Sequence, residues 1–567
     1  MKVASLSVTK GASTVSVALI RPPMAFSRSS YANPINPPLG LAYLSAALKD
    51  RGHHVVCIDA VGEDPTRLRV QPELDCFVRG LSATEIVERL PADLKAVGVS
   101  CMFSQEWLVT RDLINRVRLA RPDVFVFVGG EHVTAVPEHV LDTCTAVDAV
   151  ALGEGDEVIV DLVERFRTDP ETIPGIVYRV GEDLYRTEHR QRVRNLADLP
   201  FPDWESIPIE KYHDYESCSG VYEGVTMPIL ATRGCPYQCT FCSNPKMWGV
   251  RYYMRPPAQV LDEIEDYVRR YSASSIEFYD LTAILRKKWI HEFCDLYLER
   301  GLKISWSLPT GTRSEALDET TLKKLKATNC NYLTYAPESG SADTLLAIKK
   351  RVKLPTAISS MRSAKRLGLV LKCHLLIGIP GETRKDIFQT VALQWRLALY
   401  GVDDLPIFQF SPYPGSELFD SLLKSGEIPN LDDRYFIELL QESGNLRSFS
   451  YNKNIRGWEY TIYRTLGMSV AYLLGYIRYP KRILRTIRAV LFTKRSRTLF
   501  EQRMIEVLRN REKLRDEPEE VYTLLDNAVG RVLSQGSGAY SKNQTSSPVV
   551  SGIGREEVPV VVGARTF

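Results

Sequence analysis

The sequence lacks most features that would place the chain in a membrane, a secretory route or a disulfide scaffold. Its first residues, MKVASLSVTKGAST, contain no apolar stretch of about 7–15 residues, so they do not resemble a signal peptide. No uninterrupted apolar run approaches the ~18–20 residues that span a bilayer. Eleven cysteines in 567 residues are too few for a disulfide framework. We therefore expect a cytoplasmic protein whose clustered cysteines serve metal or redox chemistry.

The chain also lacks a strong charge of either sign. It has 72 Lys and Arg residues against 69 Asp and Glu, and a net charge of +3 does not indicate nucleic acid as a partner. Hydrophobic residues make up 44% and charged residues 25%, a balance typical of soluble proteins with sizeable cores. At ~150 residues per domain, the length predicts three or four domains.

Short apolar runs alternate with helical patterns over residues 15–167. The predicted strands are 15–20, 54–59, 96–100, 124–128 and 147–152. Near-continuous apolar strands separated by helices predict a doubly wound, Rossmann-like parallel sheet, which binds ligands at the carboxyl ends of its strands. Those ends include Ser100, Gly129-Gly130 and Gly153-Glu154-Gly155. The small residues among them leave room for a broad, flat ligand to approach the backbone.

A second α/β alternation occupies residues 226–425, after a hairpin and proline-rich linker at 168–225. Its predicted strands are 229–233, 275–280, 302–308, 331–336, 370–377 and 406–410. Six strand–helix units favour a partial (β/α)6 barrel with its functional groups at the carboxyl ends of the strands. A helical, basic region is predicted at 426–530, and the Ser- and Gly-rich composition of 531–567 predicts a disordered tail.

Three cysteines follow the first predicted barrel strand in the stretch RGCPYQCTFC, which runs from residue 233 to Cys242. A zinc knuckle or three buried cysteines are the structural alternatives. Zinc sites usually need four ligands in two pairs, and the sequence has no second CxxC or His pair. Three thiolates on one short loop, Cys235, Cys239 and Cys242, instead favour a 4Fe–4S cluster with one iron left open.

This CxxxCxΦC pattern resembles the signature of the radical S-adenosylmethionine (SAM) superfamily, with Phe241 as the aromatic residue. The resemblance implies that the open iron binds the amino and carboxylate groups of SAM. One electron from the cluster would cleave SAM to a 5′-deoxyadenosyl radical, which abstracts hydrogen from a small-molecule substrate. It also implies that Phe241 packs beside the adenine; a core aromatic residue is the alternative.

Further stretches resemble the superfamily residue by residue. The sequence APESG resembles its G-x-E-S-G element, which implies that Glu338 contacts SAM; a surface carboxylate is the alternative. Gly378 and Pro380 lie in a stretch similar to the G-x-P-G-E turn behind the adenine, although glycines also make ordinary strand–helix turns. Relatives often carry two acidic residues after the second strand, whereas this chain retains only Asp280.

Three interpretations compete for residues 15–167. A dinucleotide-binding domain is excluded because Arg21-Pro22-Pro23 stands where G-x-G-x-x-G is needed. A second iron–sulfur domain would need three loop cysteines; Cys57, Cys101 and Cys144 are candidates, but none follows the first strand.

The third interpretation is a cobalamin-binding domain. The ordered motifs RPP, PLGLAYL, GVS, GGEH and LGEG, with the later LPFPDW, resemble the cobalamin-dependent branch of the superfamily. That resemblance implies cobalamin contacts at Ser100, Gly129, Gly130, Gly153 and Glu154. The D-x-H-x-x-G loop is absent, so cobalt would lack a histidine ligand. A member that keeps this fold without binding cobalamin is the alternative.

The combined resemblance implies methylation of an unactivated carbon, with cobalamin as the methyl carrier. Radical ring formation or rearrangement of a tetrapyrrole or isoprenoid-like substrate is the alternative reaction, and a non-catalytic cobalamin carrier or sensor is the alternative class. A flavodoxin or ferredoxin is the expected one-electron donor.

A basic segment near the carboxyl terminus suggests a second kind of partner. Residues 478–497 hold eight Lys or Arg and no acid, after an apolar stretch at 466–477. A basic amphipathic helix of this kind suits an anionic membrane surface, which favours a lipid-like or other amphipathic substrate and a place at the inner face of the membrane. A solvated helix that covers the barrel is the alternative.

Overall fold

The computed structural model describes residues 14–30, 33–442, 449–498, 500–505 and 507–508. It contains two α/β units in succession, followed by helices, which confirms the predicted fold class. The predicted tail at 531–567 lies outside the described residues.

The first unit is a seven-stranded sheet with the strand order β10-β9-β8-β7-β6-β1-β3. The five strands from β8 to β3 are parallel, so their carboxyl ends lie along the same side of the sheet. The elements of this unit are β1 (Ser16–Arg21), β2 (Met24–Ser27), α1 (Leu39–Asp50), β3 (His54–Asp59), α2 (Ala60–Glu63), β4 (Leu68–Gln71), β5 (Cys76–Arg79), α3 (Ala83–Glu88), β6 (Ala96–Ser100), α4 (Trp107–Ala120), β7 (Phe125–Gly129), α5 (Glu131–Ala135), α6 (Pro137–Thr143), β8 (Ala149–Ala151), α7 (Gly155–Arg165), β9 (Ile176–Val180) and β10 (Asp183–Arg186).

Two features of this unit go beyond the sequence prediction. The predicted hairpin is present as β9 and β10, but it also pairs antiparallel with β8 and so widens the sheet. A separate antiparallel sheet with the order β2-β5-β4 was missed. Its strands have four residues each, too short for a periodic pattern to stand out.

The second unit is an open six-stranded parallel barrel with the order β11-β14-β15-β16-β17-β18. A linker helix, α8 (Ile209–Asp214), precedes it. The elements of the barrel are β11 (Thr226–Ile229), β12 (Thr232–Arg233), α9 (Asn244–Trp248), β13 (Tyr253–Met254), α10 (Pro257–Tyr271), β14 (Ser275–Phe278), α11 (Lys287–Glu299), β15 (Ser305–Thr312), α12 (Glu319–Ala327), β16 (Cys330–Glu338), α13 (Ala342–Ala347), α14 (Leu354–Arg366), β17 (Val370–Ile377), α15 (Arg384–Leu399), β18 (Ile407–Gln409) and α16 (Glu417–Lys424).

The first barrel strand lies earlier in the chain than predicted. The predicted strand 229–233 is in fact the end of β11 and a separate two-residue strand, β12. Thr232 and Arg233 leave the barrel sheet and pair antiparallel with Met254 and Tyr253. The cysteine loop therefore begins from this small ribbon rather than directly from a barrel strand.

Helices complete the described chain. They are α17 (Asp433–Glu442), α18 (Gly457–Arg478) and α19 (Lys481–Ile487), and a π-helical segment follows at Arg488–Thr493. Helix α17 returns to the first unit, where the buried Asp433 forms a bidentate ion pair with Arg111 of α4 at 2.8 and 2.6 Å. Among the described residues, no helix is both long and apolar enough to cross a membrane.

Candidate functional site

The cysteine loop is fixed by backbone contacts to distant parts of the barrel. The Thr240 N–H donates to the carbonyl of Ile348 at 3.1 Å, and the Thr240 carbonyl accepts from the Leu418 N–H at 2.9 Å. At the start of the loop, Gly234 has φ +88°, and a Cβ there would lie 2.2 Å from the Arg251 carbonyl oxygen. Only glycine fits this position, so the start of the loop depends on Gly234.

The three predicted thiols lie together on this loop. Cys235, Cys239 and Cys242 are all partly exposed, and the Cys242 N–H donates to the Cys239 carbonyl at 3.1 Å. In the described part of the chain, no three His, Cys, Asp or Glu side chains converge on one point as ligands of a single ion would. A 4Fe–4S cluster takes one thiolate per iron, so the three thiols of this loop match the ligands of three of its irons.

Two thiols of the loop favour the protonated form. Burial raises the pKa of the Cys239 thiol and raises that of Cys242 to about 12. Lys350 and Arg313 oppose this shift at Cys239 because their positive charges favour a thiolate. A metal centre that binds Cys239 and Cys242 therefore has to displace protons from these two thiols.

Sequence reasoning missed Lys350 and Arg313. The Lys350 ammonium donates to Glu338 at 2.8 Å and lies 5.9 Å from the centre of the Phe241 ring. The Arg313 guanidinium stacks 3.9 Å from the centre of the Tyr237 ring. Lys350 belongs to the run KKRVK, which is typical of a solvated surface, so no local signal could have placed it beside the cysteines.

Glu338 lies where the resemblance expected it, at the end of β16, with φ +70°. This left-handed conformation is unusual for a residue with a side chain and is typical of functional positions. Its carboxylate is nine-tenths buried and paired with Lys350. Its contact with SAM, like that of Phe241, remains a prediction.

The Asp280 carboxylate is already hydrogen-bonded within the protein and is not open to a ligand. It is fully buried, and its carboxylate accepts from the Thr232 hydroxyl and from the Ala231 N–H at 3.2 Å. Burial raises its pKa to about 6. The side chain therefore holds the residues that lead into the cysteine loop, and the predicted contact with SAM remains untested.

The turn after β17 is closed by its own glutamate. The Gly378 N–H donates to the Glu382 carboxylate at 2.7 Å, and Gly378 has φ +93°. Asn452 donates to the carbonyls of Ile379 and Glu382 at 3.3 and 2.6 Å. Pro380 is half-buried on this turn. Hydrogen bonds within the protein thus close the turn, and adenine contacts at Gly378 and Pro380 remain predictions.

The predicted cobalamin residues lie at the carboxyl ends of β6, β7 and β8, but they differ in what surrounds them. A Cβ on Gly129 would meet only the Ala151 Cβ, at 3.6 Å, so there is open space beside it. A Cβ on Gly130, where φ is +124°, would lie 2.5 Å from the Cys101 carbonyl oxygen. Gly129 and the half-buried Ser100 therefore border a space that a flat group could fill, whereas Gly130 is needed for packing.

Gly153 and Glu154 connect this edge to the barrel. A Cβ on Gly153 would lie 3.5 Å from the Met247 carbonyl oxygen. The Glu154 carboxylate accepts from Arg192 at 2.6 Å and from the Val193 N–H at 3.1 Å. These partners occupy both carboxylate oxygens, so a cobalamin contact by this side chain stays a prediction.

The cysteine loop and the carboxyl edge of the first sheet are in contact. The Ser243 hydroxyl, next to Cys242, donates to Glu131, which follows Gly129 and Gly130. Beside this contact, Arg233 and Asp156 form a buried bidentate ion pair at 2.6 and 3.1 Å. The cysteine loop and the glycine-lined edge of the first sheet are therefore direct neighbours.

This fold and site define an α/β enzyme with a three-thiol iron–sulfur loop beside an open parallel sheet. Two family matches coincide with its two units: residues 31–163 match the B12 binding domain, and residues 229–393 match the Radical SAM superfamily. The chain therefore carries a radical SAM domain and a B12 binding domain. These two domains imply a 4Fe–4S cluster, SAM and cobalamin as cofactors.

Individual relatives cover most of the chain. It is 28% identical over 412 residues to an uncharacterized methyltransferase of Pyrococcus horikoshii, covering 71% of this chain and 82% of that one. It is 26% identical to the anaerobic magnesium-protoporphyrin IX monomethyl ester cyclase of Rubrivivax gelatinosus, covering 75% and 76%. The cobalamin-bound radical SAM methyltransferase TsrM of Kitasatospora setae has the same fold, with a TM-score of 0.60 at 15% identity, covering 89% of this chain and all of that chain.

Replacing any one of Cys235, Cys239 or Cys242 with alanine should abolish SAM cleavage, because a three-thiolate site has no spare ligand. The loss should also appear as absent ~400 nm absorption after anaerobic reconstitution. Cys294→Ala is the matched control, since Cys294 is buried on α11 and should leave both signals intact. Production of 5′-deoxyadenosine by the triple alanine variant would refute the cluster assignment.

Glu382 should make stability depend on pH. Burial raises its pKa from 4.5 to about 7, so the folded chain keeps a proton that the unfolded chain has already released. Between these pH values Glu382 by itself should lower the free energy of unfolding as pH rises, by up to about 3 kcal/mol, and the raised pKa of Asp280 acts in the same direction. Glu382→Gln should make this part of the profile less steep in urea titrations, whereas Glu417→Gln, at an exposed ion pair, should not.

Proposed function

We propose that the chain is a methyltransferase that moves a methyl group from SAM to an unactivated carbon of a small molecule, by radical chemistry with cobalamin. The observation that carries this proposal is the hydrogen bond from Ser243 to Glu131. It joins the residue after Cys242 to the segment that follows β7, which ends at Gly129. Groups held at these two positions would lie in one cleft, and transfer between bound groups needs this proximity.

The residues of the chain have separate tasks in this proposal. When bound, the cluster supplies the electron that cleaves SAM, and cobalamin supplies the methyl carrier. Cys235, Cys239 and Cys242 hold the iron, while the open space at Gly129 admits a flat group. The ion pair of Lys350 with Glu338 places both signs of charge beside the thiols, which suits the zwitterionic amino acid end of SAM.

The named activities of the relatives support two reactions. A methyltransferase and a ring-forming cyclase both align with most of the chain. Mass analysis of the product separates the two, because methylation adds the mass of CH2 whereas ring closure does not. The complete set of three thiols argues against a non-catalytic cobalamin carrier. A flavodoxin or ferredoxin is the proposed electron donor, and the partial exposure of the three thiols supports this proposal.

Gly129→Leu should abolish cobalamin retention while cluster formation and uncoupled release of 5′-deoxyadenosine continue. The side chain would enter the open space, and since its Cβ meets only Ala151 the variant should fold. Cobalamin is measured by its visible spectrum after gel filtration. Ala327→Leu is the control, because Ala327 is exposed at the end of α12, in the barrel. Failure of the wild-type protein to bind cobalamin would eliminate the methyltransferase proposal.

We further propose that the enzyme binds the surface of an anionic membrane through its carboxyl-terminal amphipathic surface, defined as the exposed side chains of residues 466–494. Large apolar side chains stand free there: Leu466, Leu473, Ile477, Leu484, Leu491 and Phe492 are 57–77% exposed. An exposed apolar patch of this size is typical of an interaction surface.

The cations of this surface divide into two groups. Arg482 and Arg485 point inward and pair with Asp403 at 3.0 and 3.7 Å. Lys481, Arg488 and Lys494 have no acidic partner among the residues that the structure describes. Each free cation near an anionic membrane contributes about 1 kcal/mol. Three of them would favour anionic over neutral vesicles by roughly a hundredfold.

The protein should co-sediment with phosphatidylglycerol vesicles at low salt and dissociate at high salt. Leu484→Asp combined with Phe492→Asp should abolish this binding, because both side chains are more than 70% exposed. Leu119→Asp is the matched control, since Leu119 is 70% exposed on α4, in the first unit. Equal binding by the double variant and the wild type would rule out the proposed surface.

A further inference from the structure

The inner face of the barrel is polar. Glu277 on β14 lies opposite Ser307 on β15 in the strand register, so both side chains point to the same face. Two strands further, Lys372 and His374 alternate along β17 with Cys373 and Leu375, which pack into the outer core. Because successive side chains point to opposite faces, Lys372 and His374 face inward with Glu277 and Ser307.

Two of these inward groups are buried without a full set of partners. Glu277 and Ser307 are each 2% exposed. One Glu277 oxygen accepts from the N–H groups of Ser219 and Gly220, both at 2.8 Å. The other oxygen and the Ser307 hydroxyl have no hydrogen-bond partner among the residues that the structure describes.

Lys372 and His374 are half-buried on the same inner face. Within the described ranges, the Lys372 ammonium forms no ion pair, and the nearby Asp404 accepts from the Tyr472 hydroxyl at 2.6 Å. His374 Nε2 has no hydrogen-bond partner there, and its ring meets Phe408 edge-on at 5.3 Å. Buried polar groups in folded proteins are nearly always hydrogen-bonded, so several such groups on one inner face favour a polar occupant of the barrel.

We infer that the inside of the barrel binds the polar end of the substrate, and that this end is zwitterionic. Its ammonium group would pair with Glu277 and its anionic oxygen with Lys372, while Ser307 and His374 complete the hydrogen bonds. This inference rests on the proposed function, since it names the substrate class for that reaction. A ligand with both charges leaves neither Glu277 nor Lys372 unpaired, which a ligand with one charge cannot do.

The position of these groups fits a substrate that reacts at its other end. His374 lies two residues nearer the carboxyl end of β17 than Lys372, and Leu375 lies opposite Glu338 in the register. Glu338 pairs with Lys350 beside the cysteine loop. A substrate anchored at Glu277 and Lys372 would thus extend along the barrel, with its apolar part towards the thiols.

A first experiment measures the thermal stability of the full chain without ligand. Ser307→Ala should leave the Tm unchanged or raise it by about 1–2 °C, because removing an unpaired buried hydroxyl costs nothing and functional sites often reduce stability. Ser360→Ala is the matched control: Ser360 is also buried, but it donates to the Leu317 carbonyl at 2.6 Å, so its loss should lower the Tm. Equal falls in both variants would overturn the inference.

A second experiment measures binding of L-leucine to the purified protein by saturation-transfer NMR. L-Leucinamide lacks the anionic group and N-acetyl-L-leucine lacks the ammonium, so each should bind about tenfold more weakly. Lys372→Met should remove the discrimination against leucinamide, and Glu277→Gln that against N-acetyl-leucine. O-Phosphoethanolamine is the second zwitterion, and tighter binding of it would assign a phosphorylated head group rather than an amino acid end.

Several outcomes would contradict the inference. These are failure of all four probes to bind, equal binding of all four, and discrimination that survives both substitutions. A double variant of Glu277→Gln and Lys372→Met that is more stable than either single variant would show an internal, water-bridged ion pair instead. None of these outcomes depends on SAM cleavage. Failure of the proposed function would appear separately, as wild-type protein that releases no 5′-deoxyadenosine.

Discussion

The buried ion pair between Arg233 and Asp156 determines how the two α/β units face each other. Both side chains are less than a tenth exposed, and the guanidinium donates to both carboxylate oxygens. Arg233 stands two residues before Cys235, and Asp156 stands two residues after Glu154. A bidentate pair in a dry interface has strict geometry, so it fixes the cysteine loop against the end of the first sheet. Without this alignment, neither set of functional residues would have the other as a neighbour.

Much of the architecture follows from patterns that one sequence displays. The apolar run of β6 predicts this strand to the residue, because a strand buried on both faces leaves no polar interruption. The bounds of β3 and β17 are also as predicted, although Lys372 and His374 alternate with apolar residues along β17. The short β12 could not be predicted, since two residues carry no period. The position of β11 was wrong because the apolar residues that follow it continue into the ribbon that carries the cysteine loop.

Some residues of the candidate site could likewise be predicted from the sequence, and others could not. The thiol spacing identified the iron–sulfur loop, since three cysteines in eight residues form a local pattern. Lys350 could not be found because its role depends on a fold that brings α13 beside the cysteine loop. Asp280 and Glu154 show the opposite effect: their motifs are present, but their carboxylates are occupied by Thr232 and Arg192. A motif predicts which residue type stands at a position. Whether the side-chain atoms of that residue are free to bind a ligand depends on the neighbours that the fold supplies.

The anchoring of Thr240 has a consequence for how the cysteine loop depends on its metal. Its N–H and carbonyl are hydrogen-bonded to Ile348 and Leu418, so the loop is tied to the barrel by the backbone as well as by its thiols. Small zinc domains fold only around their metal, because nothing else holds their ligands together. Here the backbone anchors belong to a large hydrophobic core, so we expect loss of the cluster to leave the chain folded and able to accept a new one.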